Sequence, residues 1–174
     1  NSEYTAGLIA DLHPVGRDRV RVIHRGTDFR RYAAGAVDPA RVMALRNAWK
    51  IEPDDRIVLL SARLTGWKGH RVLIEAAKRL VERGVTDVKY ILAGDPQGRS
   101  SYVRELDAAI ARKQLEGVVR RVGHCEDMPA AYLASSVVAV PSTEPEAFGR
   151  VAVEAQAIGT PVVSTGIGAA PETV

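Results

Sequence analysis

Ile57-Val58-Leu59-Leu60-Ser61-Ala62 is an uninterrupted and largely apolar run, and it begins the stretch of sequence that decides the fold. A helical pattern follows over 70–83, where apolar residues recur at helical spacing and Gly84 stands directly after the end. A second apolar run, Val88–Ala93, comes next. Because a strand that is apolar throughout is typical of a sheet buried on both faces, this strand–helix–strand unit predicts a parallel sheet.

The same alternation continues on both sides of this unit. Towards the carboxyl end, strands are predicted over 118–122, 137–140 and 161–164, with helices over 101–113, 128–134 and 150–158. Towards the amino end, Ser2 and Asp38-Pro39 predict the starts of helices over 2–12 and 38–49, and Val20–Ile23 predicts a short strand. We therefore expect an α/β fold, namely a Rossmann-like three-layer αβα sandwich with a parallel sheet of about six strands.

Composition and charge exclude several classes of protein. The chain has 174 residues, of which 46% are hydrophobic and 26% charged, so it is neither disordered nor of low complexity. The longest apolar run, Val137–Val140, is far too short to span a bilayer. The net charge of +3 suits a small anionic ligand better than a nucleic acid, which binds dense basic patches. The single cysteine, Cys125, excludes an internal disulfide and fits a reducing compartment, so we expect a cytoplasmic location.

Glycine and polar residues follow each predicted strand after the first. Ligands of open parallel sheets bind at the carboxyl ends of the strands, so these loops predict a binding edge. The loops are Arg63–Gly69, Gly94–Gly98, Gly123–Asp127, Pro141–Gly149 and Thr165–Gly168.

Arg63 and Lys68 are the two cations of the first of these loops. A guanidinium offers a rigid fork and an ammonium a mobile point charge, so the pair could clamp a diphosphate. The alternative is that both are solvated surface cations, and the position at the carboxyl end of a strand makes the two interpretations about equally strong.

Two glutamates lie on either side of the start of the predicted helix over 150–158. Glu154 belongs to a segment that is apolar nearly all round and is therefore buried, so its carboxylate needs a hydrogen-bonding partner. Ligand hydroxyls and the side chain of Arg150, one turn earlier, are equally good candidates. Glu146 suits a contact with the far end of an elongated ligand, or it is an acid that complements the helix dipole.

Phe148-Gly149-Arg150 is the predicted entry to that helix, where unpaired amides favour an anion. The alternative is an ordinary helix start with Phe148 in the core. No histidine or acidic motif has metal-ligand spacing, and His124 beside Cys125 is more typical of a loop than of a ligand pair.

These residues together resemble the retaining glycosyltransferases of family 4, the group 1 glycosyltransferases. The resemblance rests on Arg63 with Lys68-Gly69, on Gly94, Gly123 and Pro141-Ser142, on Glu146-Ala147-Phe148-Gly149 through Glu154-Ala155, and on Gly159-Thr160-Pro161-Val162-Val163. It implies the carboxyl-terminal, donor-binding half of a GT-B fold. On this basis residues 1–14 are expected to be a remnant of the amino-terminal acceptor domain or linker, and 15–174 a nucleotide-sugar-binding domain truncated at its carboxyl end.

The resemblance implies a role for each matching residue. Arg63 and Lys68 would hold the donor diphosphate and Glu146 would contact the transferred sugar, which makes these three the expected catalytic residues. Glu154 would bind the ribose hydroxyls. The amides of Phe148, Gly149 and Arg150 would touch the sugar or the distal phosphate, and Gly94, His124 and Cys125 would border the nucleotide.

The resemblance also implies an activity, which is transfer of a sugar from a nucleotide-diphosphate sugar to an acceptor with retention of configuration. No metal or other cofactor is expected. The partners would be the nucleotide sugar, an acceptor and the amino-terminal half of the fold, and any contact with the inner face of a membrane would lie in that half. Two alternatives stay open: a nucleotide-binding regulatory module without transferase activity, and another GT-B enzyme such as a sugar-nucleotide epimerase or a phosphorylase.

Overall fold

Strands and helices alternate along the chain in the computed structural model, which describes residues 1–174. The helices are α1 (Glu3–Leu12), α2 (Pro39–Ala48), α3 (His70–Glu82), α4 (Ser100–Arg112), α5 (Met128–Ala134), α6 (Arg150–Ala157) and α7 (Ala170–Thr173). The strands are β1 (Arg56–Ser61), β2 (Val88–Ala93), β3 (Val119–Gly123), β4 (Val137–Val140) and β5 (Val162–Ser164).

All five strands form one parallel sheet in the order β3-β2-β1-β4-β5. The predicted Rossmann-like α/β fold is therefore confirmed. Because every pair is parallel, the carboxyl ends of the five strands share one edge of the sheet, and the loops that follow them are neighbours there.

The expected count of about six strands was wrong by one. Val20–Ile23 forms no strand, and the side chain of Ile23 is exposed. An arginine alternates with the apolar residues in this four-residue run, so the segment can bury at most one face, whereas the apolar runs of β1 and β2 are buried on both.

The core lies on both faces of the sheet, because successive side chains of the central strands point to opposite sides. On one face Ile57, Leu59 and Ile91 pack with residues of α5 and α6. On the other, Leu60 and Leu92 pack with residues of α3 and α4. This burial on both faces accounts for the continuous apolar runs and completes the three layers.

The two ends of the chain meet. The hydroxyl of Ser2 accepts a hydrogen bond from the amide of Thr5 and caps α1, as predicted. The carboxylate of Glu172, in α7, accepts hydrogen bonds from the amides of Glu3 and Tyr4, both at 2.8 Å, and these bonds lower its pKa. None of the helices combines the length and the apolar character needed to cross a membrane.

Candidate functional site

The site lies where the strand order reverses. β1 has β2 on one side and β4 on the other, so the loops after β1 and β4 border a crevice between the two halves of the sheet. The loop over 62–69 carries Arg63 and Lys68, and the loop over 141–149 carries Glu146. The amide of Thr143 donates to the carbonyl of Trp67 at 2.8 Å and joins the two loops.

Lys68 and Glu146 form an ion pair across this crevice. The Lys68 ammonium lies 2.8 Å from Oε1 of Glu146, and both side chains are about 15% exposed (15% and 14%). The hydroxyl of Ser142 donates to the same oxygen, and the ammonium lies 4.1 Å from the ring centroid of Trp67. The sequence-predicted cation and carboxylate are thus brought together, and each neutralises the other.

Glycines let the backbones at this edge approach closely. A Cβ atom at Gly69 would lie 1.8 Å from the carbonyl oxygen of Pro141, and one at Gly94 would lie 1.8 Å from that of Ala62. No side chain fits at these distances, so Gly69 brings the β1 loop to the β4 loop and Gly94 brings the β2 loop to the β1 loop. The sequence analysis missed this packing role of Gly94, and its place in donor binding stays a prediction.

A cavity of about 290 Å³ opens beside Arg63 at the ends of β1, β2 and β3. Four sequence-predicted residues line it, and the remaining lining residues come from the same strand ends and from α5. The four are Arg63, Gly94, His124 and Cys125, and the others include Ser61, Asp95, Gln97 and Met128. The volume of the cavity is comparable with that of the smallest small-molecule pockets in proteins.

The two side chains of this cavity that bear most on its chemistry are Arg63 and Cys125. The Arg63 guanidinium pairs with no carboxylate of the chain, so it is available to an anion. Burial raises the pKa of the Cys125 thiol, which favours the protonated form and makes the thiol a poor nucleophile.

Glu154 is buried and engaged on both carboxylate oxygens. Arg150 reaches Oε1 with Nη2 at 2.8 Å and Nε at 3.2 Å, and the hydroxyl of Tyr132 donates to Oε2 at 3.1 Å. Of the two alternatives weighed from the sequence, the internal partner Arg150 is present. The sequence analysis missed Tyr132, although a tyrosine hydroxyl in a helix as buried as α5 also requires a partner.

The tyrosines around Glu154 respond to its charge. Burial and the Glu154 carboxylate together raise the pKa of Tyr132, and they also raise that of Tyr32, whose ring centroid lies 6.1 Å from that of Tyr132. Both hydroxyls therefore stay protonated and can donate hydrogen bonds. Ser61, which lines the cavity beside Arg63, is also close enough to Tyr132 to affect its pKa.

At the start of α6, the side chain of Phe148 and the backbone of Gly149 have different roles. The ring of Phe148 is buried, with its centroid 6.2 Å from that of His24, so the side chain serves packing. Gly149 adopts a φ of 83°, which favours glycine, directly before Arg150 begins the helix. The predicted contacts of the three backbone amides with a ligand stay predictions.

A cleft of about 760 Å³ lies along β3 between α2 and α4 and contains none of the predicted site residues. It lies away from the reversal of strand order, so we place the site at the crevice instead. No group of three or more His, Cys, Asp or Glu side chains is arranged to hold a metal ion.

Comparison with solved structures places this geometry among glycosyltransferases. A glycosyltransferase from Rickettsia africae ESF-5 superposes with a TM-score of 0.94 at 28% identity, over 99% of this chain and 45% of that one. HepE from Anabaena, solved in complex with UDP and glucose, superposes with a TM-score of 0.88 at 34% identity, over 100% of this chain and 45% of that one.

Curated proteins of similar sequence are also named as glycosyltransferases. D-inositol 3-phosphate glycosyltransferase from Mycobacterium sp. (strain JLS) is 35% identical over 179 residues, which cover 100% of this chain and 38% of the relative. The chain thus spans well under half the length of this relative. The family model described as glycosyl transferases group 1 matches residues 43–174, which hold the crevice, the cavity and both glutamates. The chain therefore belongs to the group 1 glycosyl transferases.

Proposed function

We propose that this chain forms the nucleotide-sugar-binding half of a retaining glycosyltransferase. The observation that carries the proposal is the pairing of Lys68 with Glu146 across the crevice between β1 and β4, in which Lys68 comes from the loop that also carries the unpaired Arg63. The two cations and the carboxylate lie at the position where sheets of this topology bind ligands.

Arg63 and Lys68 would bind the donor diphosphate. Cleavage of the anomeric bond leaves negative charge on the diphosphate, and cations already placed beside it stabilise that charge as it develops. To reach a phosphate, Lys68 would exchange its bond to Glu146 for one to the ligand. Since two cations of the chain would serve the leaving group, we propose that transfer needs no metal ion.

The nucleoside would occupy the cavity beside Arg63. Its volume of about 290 Å³ suits a base and part of a ribose. Glu154, on α6 with its carboxylate held by Tyr132, would accept hydrogen bonds from the ribose hydroxyls. The UDP and glucose of the Anabaena relative support a nucleotide sugar as the ligand class.

Glu146 would contact the transferred sugar once Lys68 turns to the diphosphate. The acceptor would approach from the other half of the GT-B fold, which belongs to the same enzyme. We propose that the leaving phosphate accepts the acceptor's proton, so that configuration is retained without a covalent sugar–enzyme intermediate.

Calorimetric titration of the chain with UDP, GDP and ADP tests the proposal. We expect at least one of the three to bind, and we expect Arg63→Ala and Lys68→Ala to abolish that binding. Arg56→Ala is the matched control, because Arg56 is an exposed cation at the amino end of β1, on the opposite edge of the sheet. The proposal fails if no diphosphate binds at millimolar concentration, or if Arg56→Ala weakens binding as much as the other two variants.

Glu146→Ala separates a transferase from a binding module. The substitution frees Lys68 from its carboxylate, so the variant should bind the diphosphate at least as tightly as the wild type. Sugar transfer by the complete enzyme, measured from the donor to an alcohol acceptor, should be lost. Transfer at the wild-type rate would show that Glu146 takes no part in the chemistry, and it would favour the interpretation of this chain as a nucleotide-binding regulatory module.

A further inference from the structure

Glu154 has two protein partners that differ sharply in their exposure. The side chain of Arg150 is 62% exposed, whereas Tyr132 is 1% exposed. Arg150 bonds only to Oε1, and Tyr132 bonds only to Oε2. The carboxylate therefore has one oxygen on the solvent side and one oxygen held from the protein interior.

Tyr132 is fixed in place. Its ring packs against Tyr32, and its backbone carbonyl accepts a hydrogen bond from the buried hydroxyl of Thr160 at 2.8 Å. Its helix, α5, is itself capped by the carboxylate of Asp127. Because these contacts surround a buried side chain, Tyr132 is the less mobile of the two partners.

The guanidinium of Arg150, in contrast, can move away from Glu154. This residue begins α6, extends into solvent, and holds Glu154 through a pair four residues apart on one helix. Only the Arg150 end of this pair is exposed, so water competes for the guanidinium, and ligand hydroxyls, which also donate hydrogen bonds, can replace it at Oε1.

We propose that Tyr132 is a positioning residue that orients the Glu154 carboxylate for the ribose hydroxyls, with Arg150 as the partner that those hydroxyls displace. This inference rests on the proposed function, because it assumes that Glu154 binds the ribose. The Tyr132 hydroxyl holds Oε2, which leaves Oε1 as the acceptor that the nucleotide meets. The donor half thus contains a residue that affects ribose recognition without touching the ribose.

The test compares each nucleotide with its 2′,3′-dideoxy counterpart by calorimetry, using whichever of UDP, GDP and ADP binds. The wild type should favour the ribonucleotide roughly 10- to 100-fold, the range expected for hydrogen bonds to a charged group. Tyr132→Phe retains the ring and loses the hydroxyl, and the preference should fall to about threefold or less.

Tyr90→Phe is the matched control. Tyr90 is as buried as Tyr132, but its hydroxyl has no hydrogen-bonding partner, so this variant should keep the wild-type preference. Thermal unfolding of both variants separates loss of fold from loss of recognition. A Tyr132→Phe protein that is folded and keeps the full preference overturns the inference.

Arg150→Met keeps the inference testable should Tyr132→Phe not fold, because Arg150 lies at the surface. Since Tyr132 still holds the carboxylate, this variant should retain at least the wild-type preference for the ribonucleotide. Loss of that preference would show that Arg150 orients Glu154 and would overturn the inference. If the wild type binds the ribonucleotide and the dideoxynucleotide equally, the inference about Tyr132 is overturned, but the proposed binding of a diphosphate stands. If no nucleotide binds at all, the proposed function itself is refuted.

Discussion

Gly69 combines a positive φ of 76° with the close approach of its backbone to Pro141. Gly69→Ala should therefore destabilise the protein by roughly 2–4 kcal/mol, because the new methyl group forces the β1 and β4 loops apart as well as straining the backbone. Urea unfolding measures the loss.

Gly66→Ala is the control for this prediction. Gly66 lies three residues earlier in the same loop, has no positive φ, and has no atom within 4 Å of the position of an added Cβ. Its substitution should change the free energy of unfolding by less than about 1 kcal/mol. Equal losses in the two variants would contradict the role assigned to Gly69.

His70, the first residue of α3, is fully buried, and its ring centroid lies 5.9 Å from that of Tyr102. Burial lowers the pKa of its imidazole from 6.5 to about 4. As pH falls below 6.5, this histidine becomes protonated in the unfolded chain but stays neutral in the folded protein. The free energy of unfolding should therefore decrease from pH 6.5 down to about pH 4 and level off below. This histidine should lower the free energy of unfolding by roughly 3 kcal/mol in total across that range.

Unfolding free energies measured across this pH range test the prediction. His70→Leu should remove most of the pH dependence that lies between 6.5 and 4. His13→Gln, a change at an exposed histidine of α1's carboxyl end, should leave it unchanged. An unaltered profile in His70→Leu would show that other groups cause the acid loss.

At the scale of elements, Asp127 ties two helices together. Its Oδ1 accepts a hydrogen bond from the amide of Ala130 and caps α5, while both oxygens bind the guanidinium of Arg41, in α2. Asp127→Ala should cost about 1–2 kcal/mol in urea unfolding, mostly through the lost cap, because the pair with Arg41 is substantially exposed.

Asp87 provides the comparison. It binds Arg56 with the same two-bond geometry, at 2.8 Å for each bond, but it caps no helix. Asp87→Ala should therefore cost less than about 0.5 kcal/mol. If the two variants lose the same amount, the ion pair and not the cap accounts for the effect.

Most element boundaries could be predicted from the sequence, because they depend on local chemistry. Ser2 and Asp38 cap helices where their side chains predict it, and α5 spans the predicted residues. Val20–Ile23 failed as a strand because pairing depends on a partner elsewhere in the fold, which four residues do not specify.

At the scale of the whole molecule, alternation predicted a parallel sheet but not the order of its strands. That order brings Glu146 to Lys68 and Tyr132 to Glu154, residues far apart in sequence. Arg150 could be named as a partner of Glu154 because the two lie one helical turn apart, whereas Tyr132 lies 22 residues from Glu154 on another helix. The ligand contacts themselves stay predictions.

Binding of a diphosphate by two cations should depend on salt but not on metal ions. We expect the affinity to fall several-fold between low and high sodium chloride, since dissolved ions screen the attraction. We expect no change on addition of EDTA, measured by the same calorimetric titration. A loss of binding with EDTA would show that a divalent cation takes part.

The bond between Lys68 and Glu146 also bears on which anions the resting protein admits. The ammonium already has a counter-ion, so an incoming anion must displace a carboxylate rather than fill a vacant positive site. Free orthophosphate offers a single phosphate group for that exchange, whereas a nucleotide adds the attraction of its base and of a second phosphate. The pair therefore makes it less favourable for an inorganic anion to bind Lys68, and this cost falls on Lys68 alone, because Arg63 has no counter-ion to lose.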